Sequence, residues 1–120
     1  MRPEVLKYLY DVLQALDAID EICDGAAYEK YTGSITLRSA VERQFEIAGE
    51  ALSQMGKIDP RTFERVPDAA QVVAFRNFLI HQYAQVNTRL VWGVMKNDLP
   101  SLRAAVQSLL AEGEAAPPLQ

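Results

Sequence analysis

The chain has 120 residues, 49 % of them hydrophobic, and its twelve basic and sixteen acidic residues give a net charge of −4. This size and composition predict one globular domain whose core needs neither a disulfide nor a metal. The acidic balance argues against a protein that coats nucleic acid with a large positive surface, but it allows an enzyme that holds RNA in one small basic cleft.

Three features of the sequence bear on where the protein works. The single cysteine, Cys23, cannot form an internal disulfide, which favours a reducing cytoplasm. No apolar run approaches ~20 residues, so we expect no transmembrane helix and no membrane partner. The N-terminus lacks the uninterrupted apolar core of a signal peptide. We therefore expect a cytoplasmic protein.

The first half of the chain predicts two long helices. Apolar residues from Val5 to Cys23 recur every three or four positions, which predicts a helix over about residues 3–23. Residues 26–33 form a connector with room for one helical turn. Ser34 is a good N-cap for the second long helix, whose apolar stripe ends at Met55 and which Gly56 is expected to terminate.

The second half predicts three more helices after a polar connector over residues 59–68, which has room for a short helix. Asp68 caps a helix in which nine of the twelve residues 69–80 are apolar and point in every direction around the axis. Because such a helix must be covered on all sides, we expect a second copy of the chain to supply one wall. Asn87 caps the next helix, and residues 98–100 break it and start the last one.

These elements predict an all-α fold, a dimeric helical bundle of four to five helices. No strand-like alternation and no internal repeat stands out. We assign residues 1–112 to a single helical domain and residues 113–120, which include glycine, alanine and two prolines, to a flexible C-terminal tail.

The most informative motif lies in the third long helix and comprises Arg76, Asn77, His81 and Tyr83. His81 is the only histidine, and the surrounding stretch is almost wholly apolar. At about 100° per residue, Asn77 and His81 share one face of a helix, and Arg76 lies roughly 100° round from Asn77. His81 and Tyr83 would be about 200° apart, so they share a pocket only if the helix loosens near Gln82 or if two chains contribute.

These residue types suit phosphodiester cleavage in RNA. An imidazole transfers protons near pH 7, and a guanidinium binds a phosphate and stabilises the charge that develops on it. The 2′-hydroxyl of RNA is an internal nucleophile, so a proton acceptor and an anion-binding group suffice without metal or cofactor. With one His and one Cys, the chain has no conventional metal-ligand motif and no visible nucleophile motif.

Structural interpretations of the same residues remain open at this stage. His81 could bond to a backbone carbonyl, while Arg76 pairs with a glutamate such as Glu50. Glu42, Glu46 and Glu50 recur every four residues, and such a row is ordinarily a solvated helix face. The functional alternative is that Glu50, between Gly49 and Ala51, points into a site near Arg76.

The run from Arg76 to Tyr83 closely resembles the signature of the HEPN superfamily, in its HepT-like branch. Ile47-Ala48-Gly49-Glu50-Ala51 resembles that family's isoleucine-glycine-glutamate-alanine segment. Val86-Asn87, Val91-Trp92 and Asp98-Leu99-Pro100-x-Leu102 resemble its closing half. The similarity covers most of residues 4–110, and the order of these segments makes it much more specific than an Arg-x4-His pair alone.

The resemblance implies a helical homodimer in which the Arg and His of both chains face one cleft. It implies a metal-independent endoribonuclease that is the toxin of a type VII-like HepT/MNT toxin–antitoxin pair. The expected partners are an RNA substrate and a minimal nucleotidyltransferase antitoxin of the MNT type, and no cofactor is expected. In related pairs the antitoxin silences the toxin by adding AMP to the tyrosine of the signature, here Tyr83.

We therefore assign Arg76 and His81 as catalytic, Asn77 and Glu50 as substrate-binding or orienting residues, and Tyr83 as the modification site, with no metal ligand. His81 would act as general base or acid, and Arg76 would bind the scissile phosphate. A competing hypothesis is a non-catalytic helical module that binds a nucleotide or docks the nucleotidyltransferase. In a third, the polar cluster only stabilises the dimer.

Overall fold

The computed structural model describes residues 1–81 and 87–115, and these residues form an all-α fold. They contain five longer helices and two helices of five residues. In chain order these are α1 (Pro3–Cys23), α2 (Tyr28–Thr32), α3 (Ile35–Ile58), α4 (Pro60–Glu64), α5 (Ala69–His81), α6 (Thr88–Asn97) and α7 (Leu99–Ala115). The predicted all-helical class is confirmed.

The core lies between α1 and α3, which form the central pair of the bundle. α5 packs against α3, α7 packs against α1, and α6 packs against α7. The stripe predicted for α1 is buried along its whole length, from Val5 to Cys23, and faces Phe45, Leu52 and other buried residues of α3. Burial of such apolar stripes is the main favourable term that holds the helices together.

Several helix ends follow from local capping chemistry. The Ser34 side chain accepts a hydrogen bond from the Leu37 backbone N–H at the start of α3, and the Asn87 side chain does the same for Leu90 in α6. These bonds satisfy backbone donors that the first helical turn leaves unpaired. Pro3 begins α1, and Asp24 follows it in the left-handed conformation.

The predicted end of α3 at Gly56 is wrong, and glycine packing explains it. α3 continues past Gly56 to Ile58, and a Cβ at Gly56 would lie 2.9 Å from the Phe63 ring of α4. This glycine therefore gives a ring space to pack and does not end the helix. α7 continues past residue 112 to Ala115, because Gly113 packs against Leu6 and Met1 at the start of α1. Residues 116–120 of the predicted tail lie outside the described residues.

One face of α5 is open to solvent in the single chain. Val72, Phe75 and Leu79 are buried, whereas Asn77 and His81 are exposed together with Ala70 and Ala74. The wall that we expected from a second copy is thus not supplied by the chain itself. The dimer stays a prediction.

The described helices include none that is both long enough and apolar enough to cross a lipid bilayer. The cytoplasmic location stays a prediction.

The short helix α4 depends on a side-chain cap that should be measurable by pH. Asp59 accepts hydrogen bonds from the Thr62 backbone N–H at 3.1 Å and from the Thr62 hydroxyl at 2.6 Å, and these bonds lower the pKa of Asp59. We expect Asp59→Ala to reduce the free energy of unfolding at pH 7 by about 1 kcal/mol, measured by urea denaturation.

The stabilisation that the Asp59 cap gives should decrease as the pH is lowered. Because the pKa is lower in the folded state, the cap's stabilisation is present above about pH 4, the ordinary Asp range, and is lost as the pH falls through the folded-state value. The difference between wild type and Asp59→Ala should therefore shrink in acid. Glu64→Gln, which changes an exposed carboxylate of the same helix, is the control. A difference that stays constant from pH 7 to pH 3 would contradict the cap's role.

Candidate active site

The candidate site is built on α3 and α5, which approach unusually closely at one glycine. A Cβ at Gly49 would lie 2.8 Å from Cγ of Arg76 and closer still to its Cβ, with the Val72 carbonyl at 3.3 Å. Real Cβ atoms do not approach other atoms this closely, so only glycine allows the two helices their present separation. The close approach sets the stem of Arg76 directly against α3.

The Arg76 guanidinium is held by two partners from two helices. Its Nη2 lies 2.7 Å from Oε2 of Glu50 on α3, and its Nη1 donates to Oδ1 of Asn77 at 2.8 Å. Gln54, one turn after Glu50, donates from Nε2 to Oε1 of Glu50 at 2.8 Å. The four side chains form one connected network that fixes both the carboxylate and the guanidinium.

The network is only partly shielded from water. The Arg76 side chain is 27 % exposed and that of Glu50 is 46 % exposed. An ion pair as accessible as this contributes about 1 kcal/mol or less, so an anionic ligand can compete with Glu50 for the guanidinium. The Nε of Arg76 is buried and has no hydrogen-bond partner among the described residues.

A pocket of about 270 Å³ opens beside Arg76 between α1, α3 and α5. Its polar lining includes Tyr8, Asp11, Arg43 and Glu50. The charges are largely paired: Lys7 contacts Asp11 at 2.8 Å, and Arg43 contacts Glu46 at 3.4 Å. The pocket is therefore close to neutral, and Arg76 is its only cation that is mostly buried.

The three glutamates in the row on α3 have different surroundings, and only part of the row contacts the site. Glu50 points to Arg76, as the functional alternative required, and Glu46 points to Arg43. Glu42 is partly buried, and burial raises the pKa of its carboxyl, with a further contribution from the charge of Glu46. Only the last member of the row therefore belongs to the Arg76 network.

His81 does not join this network in the single chain. Its side chain is exposed at the end of α5, and it is not among the residues that line the Arg76 pocket. His81 follows Arg76 by five positions, which corresponds to roughly 140° around the helix axis and about 7.5 Å along it. Asn77 lies one turn before His81 on the exposed face, so it is a neighbour of both residues.

Tyr83, the predicted modification site, lies outside the described residues. Within those residues, no three His, Cys, Asp or Glu side chains come close enough together to hold a metal ion.

Comparison with known proteins identifies the family. The family model described as "Ribonuclease HepT-like" matches residues 12–109, which include every predicted site residue.

The chain belongs to the HepT-like ribonuclease family.

The resemblance that we drew from the Arg76–Tyr83 motif is thus confirmed. Curated relatives from three organisms are similar to this HepT-like chain over most of their length. A protein of Methanocaldococcus jannaschii named "Putative RNase" is 31 % identical over 87 % of this chain and 94 % of its own. A "Probable ribonuclease HepT" of Thermococcus cleftensis is 30 % identical over 85 % of this chain and 92 % of its own. A "Putative RNase" of Caldanaerobacter subterraneus is 30 % identical over 86 % of this chain and 91 % of its own. No solved structure gives a significant match.

Sequence reasoning missed several residues of the site. Gln54 follows Glu50 by four positions, and that spacing alone could have suggested the hydrogen bond between them. Tyr8, Asp11 and Arg43 gave no such signal, because they reach the pocket from α1 and from another turn of α3. Gly49 was quoted only as part of the family resemblance, and its packing role emerges from the fold.

The close approach at Gly49 predicts a large effect for a small substitution. Gly49→Ala should push α3 and α5 apart and displace Arg76, lowering the free energy of unfolding by about 1–3 kcal/mol. Urea denaturation monitored by circular dichroism would measure the loss.

Gly93→Ala is the matched control, since a Cβ there meets only Asn97 Nδ2 at 3.9 Å. It should be neutral or stabilising by up to about 1 kcal/mol, because alanine is the better helix former. Equal effects of the two substitutions would show that helix propensity, and not the α3–α5 contact, governs Gly49.

Proposed function

We propose that this HepT-like protein is a metal-independent endoribonuclease and the toxin of a toxin–antitoxin pair with a minimal nucleotidyltransferase. The observation that carries the proposal is the fixed guanidinium of Arg76 on the same helix as an exposed imidazole, in a chain whose family is described as ribonuclease. Relatives that are named as RNases are similar to this chain over almost their whole length. Together they support an anion-binding group and a proton-transfer group for RNA.

The proposed reaction needs only these two functions. An imidazole accepts the proton of a ribose 2′-hydroxyl, whose oxygen attacks the adjacent phosphorus while the bond to the 5′-oxygen breaks. A proton donated to that leaving oxygen completes the reaction. The products are a 2′,3′-cyclic phosphate end and a 5′-hydroxyl end. Arg76 would bind the scissile phosphate and stabilise the extra negative charge in the transition state.

Glu50 and Asn77 would act by positioning Arg76. Both accept hydrogen bonds from its guanidinium, so the group is already oriented before RNA arrives. Glu50 also neutralises Arg76, so the phosphate must displace it or share the guanidinium with it.

We propose further that the working site is shared between two chains. Arg76 and His81 leave α5 about 140° apart, and His81 is not among the residues that line the Arg76 pocket. The open face of α5, with Asn77 and His81 exposed, is the surface on which a second copy would bring its own Arg76 or His81 near. This is the homodimer expected from the family resemblance.

Substitution of the two residues tests the reaction. Arg76→Ala and His81→Ala should each reduce cleavage of single-stranded RNA in the presence of chelator by at least about 100-fold, with 2′,3′-cyclic phosphate ends in the wild-type products. Arg65→Ala, which removes an exposed arginine paired with Glu112, is the control and should cleave normally. Full activity of either site variant would remove that residue from the mechanism.

Mixing the two inactive variants tests the shared site. In a mixed dimer, one protomer supplies Arg76 and the other His81, so one complete site should form and part of the activity should return. If both variants fold and dimerise but their mixture stays inactive, each protomer must carry its own complete site.

The proposed antitoxin would silence the enzyme by transferring AMP from ATP to Tyr83, with release of pyrophosphate. Tyr83 follows His81 by two residues in the sequence. AMP there would add bulk and negative charge close to the proton-transfer group and would repel RNA.

Mass spectrometry tests this regulation directly. Incubation with the nucleotidyltransferase and ATP should add the mass of one AMP per chain and abolish RNA cleavage. Tyr83→Phe should block both effects, whereas Tyr10→Phe, at an exposed tyrosine of α1, should block neither. Modification of another residue, or inhibition without modification, would contradict the role of Tyr83.

A second candidate is a non-catalytic module that binds a nucleotide or docks the nucleotidyltransferase. The Arg76–Glu50 ion pair favours it, because a neutralised guanidinium has less attraction for RNA. The chelator assay separates the two: nucleotide binding without cleavage by the wild-type protein would support the module.

A further inference from the structure

One face of α6 carries aromatic and basic side chains that the Arg76 site does not use. Arg89, Trp92 and Lys96 are spaced three and four residues apart, so they lie along one helical face. Tyr28 of α2 meets this face, with its ring 5.6 Å from that of Trp92 at 67°. We call these four residues the α6 aromatic surface.

The two cations of the α6 aromatic surface lie over its rings. Nζ of Lys96 is 4.6 Å from the centre of the Trp92 ring, and Cζ of Arg89 is 5.9 Å from that of Tyr28. Both cations are exposed, so the ring faces that they cover lie on the solvent side of the protein. A planar ligand could therefore also reach them.

Both cations are also free of carboxylate partners. Within residues 1–81 and 87–115, neither Arg89 nor Lys96 forms a salt bridge, whereas Arg43, Arg76 and Arg103 all do. Lys30, Arg38, Lys57 and Arg61 likewise form no salt bridge among these residues, so Arg89 and Lys96 differ from them in lying over the rings of Tyr28 and Trp92.

The carboxylates around the α6 aromatic surface weaken its charge only in part. Asp20, whose charge opposes that of Lys96 at Cys23, is paired with Arg103 at 2.6 Å, and Arg103 also pairs with Asp17. Glu29 neighbours Tyr28 and is exposed, but Lys30 beside it is exposed as well. The balance of these side chains is one positive charge, with four cations (Lys30, Arg89, Lys96 and Arg103) against three carboxylates (Asp17, Asp20 and Glu29).

Packing fixes the rings while the cations stay mobile. Trp92 is partly buried against the core, and the fully buried Tyr31 lies below it at 5.4 Å. The ring of Trp92 is thus a rigid platform whose position does not depend on a ligand. Lysine and arginine side chains at the surface can reorient at little cost, so they can follow a ligand's phosphates.

We infer that the α6 aromatic surface binds single-stranded RNA and holds the substrate of the proposed ribonuclease. Fixed aromatic rings flanked by cations are the chemistry that recognises unpaired nucleic-acid strands: bases stack on the rings and phosphates contact the cations. A base that stacks on Trp92 would displace the Lys96 ammonium toward a neighbouring phosphate. This inference rests on the proposed function for the choice of RNA.

The position of α6 suits this role. The Ser101 hydroxyl lies within hydrogen-bond distance of Oδ2 of Asp68, just before α5, and of the Asp98 carbonyl at the end of α6. This contact joins the end of α6 to the start of the helix that carries Arg76. A groove of about 550 Å³ between them is lined by Gln71 of α5 and by Arg89 and Asn97 of α6. Arg89 thus belongs both to this groove and to the α6 aromatic surface.

Trp92 is the only tryptophan in the chain, so its fluorescence reports directly on this surface. The probe is a single-stranded 2′-O-methyl oligouridine of twelve nucleotides, which has no 2′-hydroxyl to attack. We expect the probe to quench Trp92 in the full-length wild-type protein. Binding measured by anisotropy of a labelled probe should weaken about tenfold or more in Arg89→Gln/Lys96→Gln, and the salt dependence of the binding constant should fall by about 1.4 log units per log unit of salt.

Two further variants make the result specific. Lys57→Gln/Arg61→Gln removes the same charge from exposed positions in α3 and α4 and should bind like wild type. Arg89→Lys/Lys96→Arg keeps the charge and should retain most of the affinity. Circular dichroism melting should be the same for all of them, because every substituted side chain is exposed.

Several outcomes would overturn the inference. The inference fails if the probe does not bind, or if it binds without changing Trp92 fluorescence. It fails if both Gln double variants lose the same amount of RNA affinity. It also fails if the nucleotidyltransferase quenches Trp92 while the α6 variants bind RNA normally. The last outcome would assign the surface to a protein partner. If RNA cleavage requires Arg76 and His81 but not Arg89 and Lys96, the α6 aromatic surface does not hold the substrate, and the proposed function stands. If the probe binds and quenches Trp92 but natural RNA is not cleaved, the α6 aromatic surface stands as an RNA-binding surface and the proposed function fails.

Discussion

The close approach of α3 and α5 at Gly49 is the contact on which the candidate site depends. With no Cβ at this position, the stem of Arg76 lies directly on α3. Glu50 is the next residue of α3, so the same contact that brings the helices together also sets the carboxylate beside the guanidinium. A side chain larger than hydrogen at residue 49 would separate the helices, because packed interiors have no spare volume.

This arrangement gives Arg76 and His81 different physical situations. Arg76 is held by Glu50 and Asn77, and Glu50 is held in turn by Gln54, so the guanidinium is oriented but electrically neutralised. His81 is exposed on another side of the same helix. A helix is too rigid to bring residues five apart onto one face. α5 thus presents Arg76 and His81 in different directions, and this difference is why a second protomer enters the proposal.

Much of the fold could be predicted because it depends on local rules. The stripe from Val5 to Cys23 and the caps at Ser34 and Asn87 act within one or two helical turns, and the structure confirms them. The predicted end of α3 at Gly56 was wrong for the opposite reason. Glycine usually ends a helix, but here Phe63 and Leu6, distant in the sequence or on other helices, pack against helical glycines. Such contacts leave no periodic signal.

The sequence by itself determined the helical class, the family and the identity of the polar residues in α5, because periodicity, caps and a dense motif are properties of neighbouring positions. Only the tertiary structure decided what those residues touch. It paired Arg76 with Glu50, left His81 on an open face, and assembled Tyr28, Arg89, Trp92 and Lys96 from two separate helices into one surface. Which side chains meet depends on how helices far apart in the chain pack, and that is set by the shape of the whole core.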